Sequence, residues 1–229
     1  MNSARTKLAI AQLNPTIGDI AGNAQHILEA AQQASSQGAQ ILLTPELSLC
    51  GYPPRDLLMH PDFLESMMQT LERLAKDLPP DLLTLVGVVT SNPNAGVKGG
   101  KPLFNSTALL FQGNVQKFFH KRLLPTYDVF DEDRYFESGR EANHFTLKAE
   151  NSQEQDSAAL SFQFPIASSL RIGVTICEDL WNDEEFWGKR SYEVNPIADL
   201  AQVGVDMTIN LSASPFTVGK QALREAMLK

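Results

Sequence analysis

Short apolar runs rich in β-branched and aromatic residues recur along this chain, at residues 7–13, 40–43, 82–90, 106–111, 115–119, 145–147, 160–164, 170–176 and 206–211. Each is strand-sized and too short for an amphipathic helix. Helical spacing separates only some of them, over residues 23–37 closed by Gly38, residues 61–77, and residues 192–203 closed by Gly204. Glycine ends such helices because it accepts the left-handed conformation without strain. Between two other runs lies only Gln112-Gly113-Asn114, which reads as a hairpin. Hairpins mixed with helical crossovers build mixed sheets, so a simple doubly wound parallel sheet is disfavoured.

With 229 residues, 43% of them hydrophobic, the chain can bury a full core, and no break in composition divides residues 1–229. A net charge of -8 argues against nucleic acid or an anionic membrane as partner, since both reward clustered Lys and Arg. The opening MNSARTKLAIAQLNP is too polar for a signal peptide, and no apolar run reaches membrane-spanning length, so a cytoplasmic location is expected. Cys50 and Cys177 fit no zinc or redox spacing, which predicts free thiols and no metal site. Gly96, Gly99 and Gly100 lack the spacing and following helix of a phosphate loop, so no ATP site is expected here. Residues 149–159 read as a solvated surface loop. Residues 219–229 read as the start of an amphipathic helix, and the domain is expected to continue past them.

Two long aperiodic segments, 45–60 and 120–140, are rich in unusual residues, and compact domains rarely carry such loops without a use. Glu46 follows the run ILLTP, Lys121 follows an apolar strand in FFHKRLLPTYD, and Cys177 ends the strand in LRIGVTICEDLW. Taken singly, each has a plainer role as a helix cap, a solvated cation or a core thiol. Together they place an acid, a cation and a thiol at the carboxyl ends of three strands, where sites collect in α/β folds. Amide cleavage needs all three. A thiol must lose its proton as it attacks, an oxyanion must be stabilised, and departing ammonia must receive a proton. Glu46 suits both proton steps. Lys121 suits lowering the thiol pKa and sharing the oxyanion with a backbone N–H near Glu178. Glu137, in RYFESG, is placed to anchor Lys121 or else to face water.

The order and settings of Glu46, Lys121 and Cys177 resemble the nitrilase superfamily of carbon–nitrogen hydrolases. More narrowly, PELSLCGYPPRDLL, HKRLLPTYDVFDEDRYFESG, GVTICEDLWND and NLSASPFTVGK, in that order, resemble the glutaminase domain of glutamine-dependent NAD synthetases. That resemblance implies an α/β fold, a four-layer αββα nitrilase-like sandwich truncated at its C-terminus. It implies Glu46 as base, Lys121 as cation, Cys177 as nucleophile and Glu137 as accessory acid. Tyr52, Tyr127, Glu178, Ser214 and Lys220 match positions around the glutamine pocket. The implied reaction is hydrolysis of glutamine through a thioester, with ammonia passed to a C-terminal NAD synthetase domain. ATP and Mg2+ would act in that domain, no cofactor is expected in this chain, and the full-length form is expected to be a homo-oligomer. A stand-alone amidase or carbamoylase and a non-catalytic docking module are the alternatives.

Overall fold

The computed structural model describes residues 6–149, 160–166, 168–182, 184–189 and 191–228. Along the chain it forms β1 (Leu8–Ile10), α1 (Ile20–Ser36), β2 (Ile41–Leu43), α2 (Pro61–Asp77), β3 (Leu83–Ser91), α3 (Ala95–Lys98), β4 (Leu103–Phe111) and β5 (Asn114–His120). There follow β6 (His144–Ala149), β7 (Ser161–Phe164), β8 (Leu170–Ile176), α4 (Glu184–Trp187), α5 (Pro196–Val203), β9 (Met207–Leu211) and α6 (Lys220–Met227). Short 3-10 turns span Arg55–Met59, Glu132–Arg134 and Cys177–Leu180.

The strands make two sheets, ordered β1-β2-β3-β4-β5 and β7-β6-β8-β9. In the first, β1, β2 and β3 run parallel, and β4 is antiparallel to both β3 and β5. In the second, β6 pairs in parallel with β7 and antiparallel with β8, while β8 and β9 are parallel. Strand side chains alternate between faces, and the sequence uses that alternation. Ile41, Leu43, Leu83, Leu85, Leu109 and Phe119 face the second sheet and pack with Phe145, Ile172, Val174, Ile209 and Leu211. Leu42, Val86, Val88, Ala108 and Leu110 belong instead to the core that holds Ile27 and Ala31 of α1 and Met67, Leu71 and Leu74 of α2. On the far side, α5 lies so close to β8 that a Cβ on Gly173 would sit 2.9 Å from Leu200. The layers are therefore helix, sheet, sheet, helix: the αββα sandwich.

Most element boundaries follow local chemistry. Helix α2 covers residues 61–77 as the spacing predicts, with proline in its first turn where a missing N–H costs nothing. Helix α1 starts at Ile20, earlier than its apolar spacing suggests, because Asp19 accepts the Gly22 N–H at 2.9 Å and caps it. The loop Gln112-Gly113 is a two-residue hairpin with positive φ at both positions, 50° and 77°. Strand β1 is shorter than its run, since it pairs only with Ile41–Leu43 of β2. Helix α5 begins at Pro196, not at residue 192, because Asn195 caps it through Ile197 and Ala198 N–H groups. The surface loop expected at 149–159 falls, beyond residue 149, outside the described residues. Among the described residues no helix is long and apolar enough to cross a membrane.

Candidate active site

Strands β2 and β3 point the same way, and β5 shares that sense because two antiparallel steps separate it from β3. Glu46 and Lys121 therefore leave the same end of the first sheet, while Cys177 leaves β8 of the second. The segment bearing Glu46 crosses β3 at Gly87, where a Cβ would lie 2.3 Å from Leu47 N and 2.4 Å from Pro45 O. Only glycine permits that approach. Hydrogen bonds fasten the crossing, among them Thr44 Oγ1 to Leu85 O at 3.1 Å and Leu49 N to Gly87 O at 3.0 Å. Cys177 has φ of 45°, a left-handed conformation uncommon for a residue with a side chain, at the sharp turn from β8 into its 3-10 turn.

Lys121 is completely buried, and its Nζ donates to Glu46 Oε1 and to Glu132 Oε1, both at 2.7 Å. Tyr52 OH donates to Glu132 Oε1 at 2.9 Å, and the Ala213 N–H donates to Glu46 Oε2 at 3.0 Å. Burial alone would discharge Lys121, but Glu46 and then Glu132 outweigh it and hold the ammonium well above its ordinary pKa. Burial raises the Glu132 carboxyl, with Lys121 opposing and Glu46 adding to the rise.

The thiol of Cys177 is 3% exposed. Burial first, then Glu46 and Glu132, push its pKa well above the ordinary thiol value, against the opposing pull of Lys121 and a hydrogen bond from Ser212. The sequence predicts that Lys121 lowers this pKa. The cation does act in that direction, yet burial and the two carboxylates win. Burial favours the neutral thiol over the thiolate, so attack calls for a neighbouring base to take its proton. Cys50, also buried, is pushed up to about 12 by burial, and its sulfur donates to the Leu47 and Gly51 carbonyls at 3.7 Å.

Cys177 opens on a cavity of 360 Å³ lined also by Tyr127, Phe130, Glu178, Trp181, Ser214 and Lys220. Glu178 Oε2 accepts from Tyr127 OH at 2.9 Å and Oε1 from Tyr192 OH at 2.8 Å. Tyr192 reaches it because Asn182, 2% exposed, folds the loop back, accepting from the Ser191 and Tyr192 N–H groups and donating to the Tyr192 and Val194 carbonyls. Opposite, Lys220 Nζ donates to the Ser214 hydroxyl and sits 5.5 Å above the Trp181 ring. Asp179 ties the two sheets' contributions together. Its Oδ1 accepts from Arg122 and Leu123 N–H at 3.0 and 2.9 Å, just past Lys121, and its Oδ2 from Ile176 N–H at 2.9 Å, just before Cys177. Burial outweighs those three donors and raises its pKa to about 6.

The structure thus gathers Glu46, Lys121 and Cys177 at one place, and Tyr127, Glu178, Ser214 and Lys220 around the cavity beside them. Tyr52 belongs to the charge cluster, bonding Glu132. Glu137, expected beside Lys121, lies elsewhere: it accepts from Lys101 N–H at 2.9 Å and faces Arg140 at 3.9 Å. Glu132 takes the place expected for it. The 3-10 turn Glu132–Arg134 aims that carboxylate inward, whereas the Glu137 backbone N–H pairs with Leu103 O and directs its side chain toward Gly100. Glu132, Asp179, Asn182 and Tyr192 escaped the sequence reading. For Glu132 the only signal was the aperiodic acid-rich segment itself, which holds several carboxylates and ranks none of them.

The site can be set against known proteins. Glutamine-dependent NAD(+) synthetase from Synechocystis sp. is 51% identical over 221 residues, 96% of this chain and 36% of that protein. The enzyme of that name from Thermotoga maritima is 35% identical over 226 residues, 98% of this chain and 33% of that protein. A solved glutamine-dependent NAD+ synthetase from Acinetobacter baumannii, in complex with ADP, superposes with a TM-score of 0.75 at 33% identity, covering 97% of this chain and 35% of that one. An amidase from Nesterenkonia sp. has the same fold, with a TM-score of 0.69 at 18% identity over 100% of this chain and 72% of that one. The chain spans about a third of the length of the synthetases it matches. The carbon–nitrogen hydrolase profile matches residues 7–187, which contain Glu46, Lys121, Glu132 and Cys177, and this chain belongs to the carbon–nitrogen hydrolase family.

Proposed function

We propose that residues 1–229 are the glutamine-hydrolysing domain of a glutamine-dependent NAD synthetase. The supporting observation is the cavity at Cys177, which offers a buried carboxylate, Glu178, and a cation, Lys220, around one thiol. A free α-amino acid carries an ammonium and a carboxylate that need such complementary groups, whereas a simple aliphatic amide does not.

In the proposed reaction the Cys177 sulfur attacks the side-chain carbonyl carbon of glutamine while Glu46 takes the thiol proton. Lys121, held as ammonium by Glu46 and Glu132, stabilises the oxyanion together with a backbone N–H of the turn after Cys177. The carbon–nitrogen bond breaks as Glu46 returns the proton to the departing nitrogen, releasing ammonia and leaving a thioester. Water, deprotonated by Glu46, then releases glutamate and regenerates the thiol. Glu132, Tyr52 and Asp179 keep the cluster in place. Ammonia would pass to a synthetase domain outside this chain, where ATP and Mg2+ would serve NAD formation, in a cytoplasmic homo-oligomer. The names of the related synthetases support this assignment.

Steady-state comparison of substrates tests it. The expected kcat/KM for glutamine exceeds that for propionamide by about 1,000-fold or more, and Glu178→Gln raises the KM for glutamine by about tenfold to a hundredfold, the loss of one charge-assisted contact. A preference for the aliphatic amide would instead identify a stand-alone amidase.

A further inference from the structure

Asn105 lies near the start of β4, between the two strands whose ends supply the cluster, and is 1% exposed. Its Nδ2 donates to Glu46 Oε1 at 2.8 Å and to Glu132 Oε2 at 3.3 Å, while its backbone oxygen accepts the Lys121 N–H at 2.8 Å. One residue therefore touches both carboxylates that hold the ammonium and the main chain of the residue that carries it. The amide orientation is dictated by these neighbours, because the reverse would set a carbonyl oxygen against two carboxylates. Its Oδ1 finds no hydrogen-bond partner among the described residues. A buried acceptor without a partner is unfavourable. Packing alone gives no reason for an amide here, and the reason must lie on the Nδ2 side.

The physical need is clear from the charges. Two buried carboxyl groups flank a single buried ammonium, so their mutual repulsion calls for further donors. The groups facing Asn105 are Glu46 from the end of β2, Glu132 from its 3-10 turn, Lys121 from the end of β5 and, through Glu132, Tyr52. His120, one residue before Lys121, turns away and bonds Ser106 at 2.9 Å. Apart from Lys121, the donors are Tyr52 on Glu132 and the Ala213 N–H on Glu46, each serving one acid. Like Lys121, the Asn105 amide bridges both. We infer that Asn105 is a positioning residue for the thiol chemistry: its side-chain amide, donating to both acids, holds Glu46 and Glu132 apart on either side of Lys121, in the place from which Glu46 can take the Cys177 proton. Asn105 does this without touching the reacting atoms. The inference rests on the hydrolase role proposed above.

The test uses the natural protein with Asn105→Ala and Asn105→Ser and two readouts. In glutamine hydrolysis, Asn105→Ala is expected to lower kcat about 10- to 100-fold with KM little changed, as loss of hydrogen bonds to charged groups predicts. The acid limb of its pH–rate profile should move upward by about one pH unit, because carboxylates that lose a donor protonate more readily. Asn105→Ser, whose hydroxyl can serve one acid only, should fall between the alanine variant and wild type in both respects. The second readout is independent of glutamine: the pH dependence of Cys177 alkylation by iodoacetamide, followed by peptide mass on folded protein, should show the same upward displacement. An unmoved acid limb in both readouts, whether activity is retained or falls with the folded fraction, would overturn the inference. If wild type fails to hydrolyse glutamine but the alkylation limb still moves, the glutamine assignment falls and the role of Asn105 stands.

Discussion

Cys177→Ala is expected to reduce glutamine hydrolysis by about 10,000-fold or more, to the level at which only a bound amide and water remain. NAD formation from supplied ammonia by the natural protein should be nearly unchanged, because the thiol takes part only in releasing ammonia. The size of the effect follows from the absence of any substitute nucleophile. The other cysteine, Cys50, lies in the apolar core beside α1 and α2, and burial, against an opposing backbone hydrogen bond, pushes its pKa up to about 12. Ammonia release measured against ammonia-supported NAD formation separates the two activities. Parallel loss of both would contradict the division of labour.

Lys121→Ala should act twice. The cation donates to two buried carboxylates at 2.7 Å each, and its removal leaves both without their strongest partner. Breaking a buried pair in this way costs about 3–5 kcal/mol of stability. Loss of the charge facing the oxyanion costs about 100- to 1,000-fold in kcat. The stability deficit should depend on pH with a definite sign. Lys121 opposes the burial that already raises Glu132, so without the ammonium the folded-state pKa of Glu132 rises further above its unfolded value. The folded variant then binds protons more readily than the unfolded chain, so its stability is greatest at low pH and is lost as pH rises through the folded-state value. Denaturation at pH 5 and pH 8, both above the ordinary carboxylate value of about 4, so that the unfolded acids are ionised at each, checks this. A deficit that is smaller at the higher pH, or activity within about tenfold of wild type, would show that the cation is peripheral.

How far these features were legible in the chain depends on whether local chemistry or distant contacts decide them. The inner strands were legible because Ile41, Leu43, Leu83, Leu85, Ile172 and Val174 alternate with residues of the opposite faces, and the period of two survives folding. Helix α2 was legible to the residue, since Pro61 and the apolar spacing agree. Glu46, Lys121 and Cys177 could be grouped because each follows an apolar strand, a position readable without knowing the sheet order. Glu132 could not. Five carboxylates, at 128, 131, 132, 133 and 137, crowd one aperiodic segment, and the choice among them falls to Tyr52, 80 residues away. Helical spacing reaches back to Tyr192, whereas Asn182 captures its backbone and Asn195 starts the helix later. Nothing local marks Asn105, because its partners, 59 and 27 residues distant, meet only when the sheet forms. The pull of Lys121 on the Cys177 thiol is legible, but the burial that outweighs it is not, since sequence shows a nearby cation and not the depth of burial.

The account stands on one claim, that Cys177 forms a covalent acyl bond with glutamine inside the pocket framed by Glu178 and Lys220. Reaction of the natural protein with a diazo-ketone analogue of glutamine, followed by peptide mass analysis, tests it most directly. The predicted result is a single adduct on Cys177, suppressed by excess glutamine and absent from Cys50. An unmodified Cys177 in folded protein, or labelling that glutamine does not suppress, would contradict it.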